Sequence, residues 1–216
     1  MEKVRKINPS KSIHFRGKQS SLKNDQMIHW KSLLERDYIR LLEFDPTVIC
    51  YESQPLVIDY AYRGKIYKYY PDFKIITTDH RARLVEVKPL KFINKPENRV
   101  KFEVGKRYCE QHGWTFQVVT EEQIRPGFLQ YNLCKIRKIP KVLISKSICL
   151  QILKNLAKQG ICTIQELREA CNEIEESSFF RCFYFLIYHH KIITDLVNEK
   201  LSVNSLVALA KSEVTY

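Results

Sequence analysis

No run of apolar residues in this 216-residue chain reaches the ~18 positions that a membrane helix needs, so no membrane span is expected. Paired cysteines are missing as well. The seven cysteines (Cys50, Cys109, Cys134, Cys149, Cys162, Cys171 and Cys182) never fall in a C-x-x-C pair, which argues against a zinc ribbon or a disulfide scaffold. Most sit beside apolar residues and read as small core fillers in a reducing cytoplasm. Cys171 and Cys182 with His189 and His190 are spaced too loosely to make a good metal site. No apolar stretch follows the basic start MEKVRKINPSK, so no signal peptide is expected. There is no internal repeat and no low-complexity tract.

Positive charge, unlike negative charge, is unevenly spread along the chain. Residues 1–144 hold 28 Lys and Arg against 16 Asp and Glu, whereas residues 145–216 hold 8 of each. The whole excess of +12 therefore lies in the first two thirds, where it suits a polyanionic partner such as nucleic acid and, equally, mere solubility. The apolar fraction of 44% with 12% aromatics is enough for a packed core.

The order of elements suggests an α/β class. Residues 1–23 read as a basic arm with a short strand around Ser12–Arg16. Asn24-Asp25 offers an N-cap. Met27, Trp30, Leu34, Ile39, Leu41 and Leu42 then fall near helical spacing, predicting a helix of about five turns that stops at Asp45-Pro46. Strands follow at 48–53, 56–62, 65–70, 73–77 and 82–88, with a hairpin turn at Arg63-Gly64. A helix from Pro96 to Gln111 ends near Gly113, and 114–120 is another strand. This describes a mixed sheet with helices on its faces. A helix is expected near 128–137. The last 72 residues read as three helices, two short strands at 192–196 and 200–203, and a final helix, a winged-helix-like pattern. The expected domains are thus the arm 1–23, a domain with connector at 24–144, and a small domain at 145–216.

One constellation carries chemistry. In LVEVK (84–88), strand alternation sends Glu86 and Lys88 to one face and Val85 and Val87 to the other. Pro71-Asp72 ends the preceding hairpin. If the two strands pair, two carboxylates and an ammonium converge, an oxygen-rich arrangement that suits Mg²⁺ and the activation of a water. Pro-Asp is equally a common turn opener, and Glu-x-Lys a common solvated pair. Both readings stay open for the motif by itself. Glu35, on the first helix, offers a third acid.

Pro71-Asp72 followed by Glu86-Val87-Lys88 resembles the PD-(D/E)xK nuclease superfamily. Longer stretches, SLLERDYIRLLEFDPTV (32–48), YESQPLVIDY (51–60), YPDF (70–73) and VEVK (85–88), look like the TnsA family, the endonuclease subunit of heteromeric cut-and-paste transposases. The likeness covers about residues 10–125 and continues more weakly into the tail. It implies a restriction-endonuclease-like fold and Mg²⁺-dependent cleavage of the 5′ ends of a transposon, with Mn²⁺ as a substitute metal. A TnsB-like transposase would cut the other strand, and a TnsC-like AAA+ ATPase would link target choice to cutting. Carried over residue by residue, Glu35, Asp72, Glu86 and Lys88 are catalytic. Asp72, Glu86 and Glu35 would hold metal, with Glu103 a weaker match whose plainer reading is a helix-surface pair with Arg107. Lys91, Lys95, Arg99, Lys101, Lys106 and Arg107 are candidate phosphate contacts. The tail, with no net charge, is expected to dock protein, and the protein to act in a prokaryotic cytoplasm, on the nucleoid when assembled. A stand-alone restriction-type or junction-resolving nuclease, or a non-enzymatic winged-helix DNA-binding regulator, are the alternatives.

Overall fold

The computed structural model describes residues 15–137 and 143–210. The chain divides into two compact units, Met1–Arg125 and Pro126–Tyr216.

The first unit opens with a hairpin, β1 (Gly17–Ser21) and β2 (Gln26–Trp30). The expected five-turn helix is therefore shorter: α1 runs Leu33–Phe44. Met27 and Trp30 match helical spacing by coincidence, since Ile28 is buried while its neighbour Met27 is half exposed, as a strand requires. Asp25 takes a left-handed φ of 49° in the hairpin turn instead of capping a helix. Ser32 is the N-cap, its hydroxyl accepting from the Glu35 amide at 3.1 Å. The supposed arm is clipped down in part. Glu43 accepts from Ser21 Oγ (2.5 Å), Tyr51 OH (2.7 Å) and Leu22 N (2.9 Å), a buried carboxylate fully used by donors. Lys23 Nζ donates to the carbonyls of Asp45 and Val48, where the helix ends and the next strand begins. The strand expected around Ser12–Arg16 falls largely outside the described residues.

The central sheet has the order β3 (Val48–Ser53), β6 (Phe73–Thr77), β7 (Ala82–Val87), β8 (Thr115–Val119). The first two pairings are antiparallel and the last is parallel, a mixed sheet as expected. Between β3 and β6 the chain makes a separate two-stranded hairpin, β4 (Ile58–Tyr62) and β5 (Lys65–Tyr69), around the Arg63-Gly64 turn. One sheet face packs on α1: Leu34, Tyr38, Ile39 and Leu42 meet Tyr51, Phe73, Ile75, Val85 and Val87. The other packs on α2 (Pro96–Gln111), where Leu84, Cys109, Val104 and Phe116 share a cluster with the hairpin base, Ile58 and Tyr69. Gly105 permits this approach, because a Cβ there would lie 2.4 Å from the Phe116 ring. A short helix, α3 (Glu121–Ile124), ends the unit, and Arg125 grips buried Asp37 of α1 at 2.7 Å. This two-sided burial makes a helix-flanked α/β domain.

The second unit begins with α4 (Leu129–Ile136), earlier than the boundary expected at 144/145. The reason is Asn132, wholly buried, which donates to the carbonyls of Leu196 and Glu199 and accepts from the Leu201 amide. Next come α5 (Lys146–Gln159), β9 (Cys162–Thr163), α6 (Ile164–Ala170), α7 (Glu176–Tyr188), β10 (Ile192–Thr194) and β11 (Leu206–Leu209). The three strands form an antiparallel sheet in the order β10-β11-β9. The second strand lies at 206–209, not 200–203, and replaces the start of the expected final helix. Residues 195–199 turn on the Asp195 carboxylate, which accepts from the Val197 and Asn198 amides. Phe179 and Phe183 stack at 5.6 Å in the core, whereas Phe180, Tyr184 and Phe185 are half-buried. Cys171 and Cys182 are buried fillers. No helix among the described residues is long and apolar enough to cross a membrane.

Candidate active site

The site grows out of the register between β6 and β7. Phe73 pairs with Val85 and Lys74 with Leu84, so one further step sets Asp72 opposite Glu86 on the α2 face of the sheet. Directly opposed residues in such a pair have Cβ atoms about 5 Å apart. Pro71 supplies no amide hydrogen and fixes φ just before Asp72, so the ladder stops there and the Asp72 side chain takes over its role. Its Oδ2 accepts the Val87 amide at 2.8 Å, where a strand carbonyl would otherwise stand. The other side of β7 stays bonded, with the Lys88 amide donating to Val119 O at 2.9 Å. Both carboxylates are therefore fixed by backbone pairing.

Glu86 is buried, with only 4% of its surface exposed. One oxygen holds Lys88 Nζ at 2.8 Å and the other accepts from Tyr69 OH at 2.9 Å. Burial and the negative charges of Glu86 and Asp72 push the Tyr69 hydroxyl far above the usual range, so it stays a donor. Burial works against charge on Lys88, but Glu86, Asp72 and Glu35 outweigh it and raise its pKa, which keeps it an ammonium. Asp72 feels the crowding most. Burial, then Glu86, then Glu35 drive its carboxyl well above the ordinary aspartate value. Acids pressed together in this way favour a cation between them.

Glu35 arrives from the helix on the opposite sheet face. Its oxygens accept from the Lys31 amide (2.8 Å) and Ser32 Oγ (3.1 Å), so the capping-box sequence closes on the amide one residue before the N-cap Ser32. Burial and the Glu86 charge raise its pKa too. Among the described residues no three Asp, Glu, His or Cys side chains stand together as a ready metal cage. Mg²⁺ does not require one, since it commonly takes one or two carboxylates and keeps its waters. The opposed pair Asp72 and Glu86 fits that requirement.

A cleft of about 480 Å³ opens over these groups, lined by Lys31, Gln54, Lys68, Tyr69, Tyr70, Asp72, Glu86, Lys88 and Lys101. Of the expected phosphate contacts, Lys101 alone reaches it. Lys91 and Lys95 stack on Phe92 at 4.9 and 4.7 Å, and Arg99 and Arg107 are exposed on α2. Glu103 is also exposed and pairs with Lys106 at 2.8 Å, away from the cleft lining; its expected surface partner, Arg107, adds only a weaker charge effect. Three contributors were not apparent from sequence as site residues: Tyr69, Lys31 and Gln54. The Gln54 amide donates to Asp72 O at 2.8 Å from a left-handed backbone, φ 50°. Its position beside Pro55 in the YESQP stretch is the local hint of that unusual conformation.

Residues 45–121 match the family described as TnsA-like endonuclease N terminal. Over these residues the chain is similar to a TnsA-like endonuclease domain. The match contains Asp72, Glu86 and Lys88 and begins after Glu35. Among curated proteins, none matches the chain. The matched stretch thus places Asp72 just before β6, Glu86 on β7 and Lys88 just after it, at the end of the sheet where Pro71 halts the ladder.

Proposed function

We propose that this protein is the Mg²⁺-dependent endonuclease subunit of a transposase, cleaving the 5′ strand at transposon ends while a partner transposase cuts and joins the 3′ strand. The observation that carries the reading is the opposition of Asp72 and Glu86 beside an ammonium, in a cleft otherwise rich in lysine. The TnsA-like match supports nuclease activity of the transposase type, and the transposon-end specificity follows the family resemblance.

In this reading Asp72 and Glu86 hold the metal, and Glu35 adds negative charge from α1 while fixing the helix start. When bound, Mg²⁺ supplies a Lewis acid for the scissile phosphate and lowers the pKa of a bound water. Lys88 stays protonated and adjacent to Glu86, so it orients the attacking water and offsets charge developing on the phosphate; such a preorganised donor is worth about 10²–10³-fold in rate. Tyr69 holds the Glu86 carboxylate in place, and Lys31, Lys68 and Lys101 attract the phosphates on either side. The second unit, read as a winged-helix-like module with no net charge, serves as a docking surface for a TnsB-like transposase and a TnsC-like AAA+ ATPase. The assembly works in a prokaryotic cytoplasm on nucleoid DNA.

The test uses the full chain with its cognate transposase and ATPase, a labelled transposon-end duplex and Mg²⁺. Asp72→Ala and Lys88→Ala should abolish 5′-strand cutting while 3′-strand cutting by the partner persists. Undiminished 5′ cutting in either variant would refute the assignment.

A further inference from the structure

The β4–β5 hairpin belongs to no larger sheet, and an isolated two-stranded hairpin is at best marginally stable. This one is reinforced with care. Its base, Ile58 and Tyr69, is buried against Leu84 and Cys109. Tyr60 and Tyr67 lie directly opposite each other and stack at 5.7 Å, and Tyr62 leans on Tyr67. These residues all share one face with Lys65. The other face carries Tyr70, Lys68 and Ile66 in line. Tyr70 and Lys68 line the active-site cleft, and Ile66 stands 72% exposed beyond them. A reinforced ribbon therefore starts in the cleft and leads away from it.

The tip is marked by charge and by strain. Residues 61–68, AYRGKIYK, carry three cations and no acid. Arg63 and Gly64 both have positive φ, 48° and 73°, the pattern of a type I′ turn. The first position of that turn favours Asn or Asp, and a left-handed arginine is disfavoured there. A cation kept at a strained position, poised over the Tyr62 ring at 5.2 Å, indicates use of its charge.

We infer that this hairpin is a DNA-contacting arm: Arg63 and Lys65 at its tip grip phosphates on the wall of the groove it enters, Lys68 on the other face reaches a phosphate nearer the scissile one, and Ile66 rests against the sugar and base edges. This rests on the nuclease reading and extends it to substrate positioning. From Tyr70 to Ile66 a strand spans about 13 Å, roughly the rise of four base pairs. A two-stranded ribbon is narrow enough to lie in the major groove. Asp59 stands directly opposite Lys68, so the complementarity to duplex DNA, the occupant, rests on the tip cations Arg63 and Lys65, which have no acid within residues 60–70, whereas an acidic protein surface would give the alternative outcome below.

The experiment measures binding of the full chain to a labelled duplex in EDTA, which prevents cutting, from 50 to 200 mM salt. The variants are Arg63→Asn and Arg63→Ala/Lys65→Ala. Each lost phosphate contact lowers the slope of log K against log salt by about 0.9, so the double variant should fall by about 1.8. Across that salt range the wild type would then lose about twelve-fold more affinity than the double variant. Arg63→Asn should raise the Tm, because Asn suits the turn, while reducing the slope by about 0.9. A higher Tm with an unchanged slope assigns the arm to something other than DNA and overturns the inference alone. A wild-type chain that binds no duplex at 50 mM salt overturns the nuclease reading with it.

Discussion

Asp72→Asn should kill the nuclease and stabilise the protein. The substitution keeps the side chain's shape and its ability to accept the Val87 amide hydrogen, so the hydrogen bond that closes the β6–β7 ladder survives. It removes a carboxylate whose ionisation is opposed by burial and by Glu86 and Glu35. Relief of such functional strain commonly yields about 0.5–2 kcal/mol, or roughly 2–10 °C in Tm for a unit of this size. Both tryptophans, Trp30 and Trp114, lie in the first unit, so their fluorescence reports its unfolding directly. The sign with pH is fixed. Asp72 has a folded pKa raised above its unfolded value, so the wild type is favoured while that carboxyl is protonated and loses stability as pH rises through the folded pKa. The advantage of the Asn variant in EDTA should therefore be largest at neutral pH and shrink on acidification. Mg²⁺ should offset that advantage, stabilising the wild type by about 1.4 kcal/mol at ten times its Kd and the variant little. A variant less stable than wild type in EDTA at pH 7.5, or a gap that widens on acidification, would refute the claim that this carboxylate is held under electrostatic strain.

Tyr69→Phe leaves one oxygen of buried Glu86 without its 2.9 Å donor. It should cost about 1.5–3 kcal/mol by tryptophan-monitored denaturation and slow Mg²⁺-dependent cleavage, and unchanged stability would contradict the assigned hydrogen bond. In the second unit, Asn132→Ala removes three buried hydrogen bonds and should destabilise that unit by about 2–4 kcal/mol. Hydrogen exchange at the Leu201 amide, which loses its acceptor, is the direct readout.

Much of the site was legible because strand periodicity is simple. Val85 and Val87 had to be buried, which forced Glu86 and Lys88 to the opposite face, and a pairing of that strand with the Pro-Asp hairpin end was enough to oppose the two acids. The start of the first helix was misplaced because Met27 and Trp30 fit a 3.6-residue period by chance. The correcting signal was local: Ser32 followed three residues later by Glu35 is a capping box. That same box gives Glu35 a structural occupation beside its place near the acids. Tyr69, Lys31 and Gln54 had no comparable signature, since their roles depend on where a hairpin, a strand end and a loop meet in space. The second strand of the small sheet lies later than expected because Asn132, some seventy residues upstream, holds the intervening loop, a tertiary constraint that no window of sequence contains.

The turn between β6 and β7 has a practical corollary. It sits at the far end of both strands from Asp72 and Glu86, about 17 Å away at ordinary strand rise. It is closed by local bonds of its own, Thr77 Oγ1 to Asp79 at 2.6 Å and Arg81 to Asp79 on the surface. A fluorophore or short peptide spliced at Asp79-His80 would ride outside the reaction chamber. It would allow the chain to be followed in solution while the cleft stays untouched.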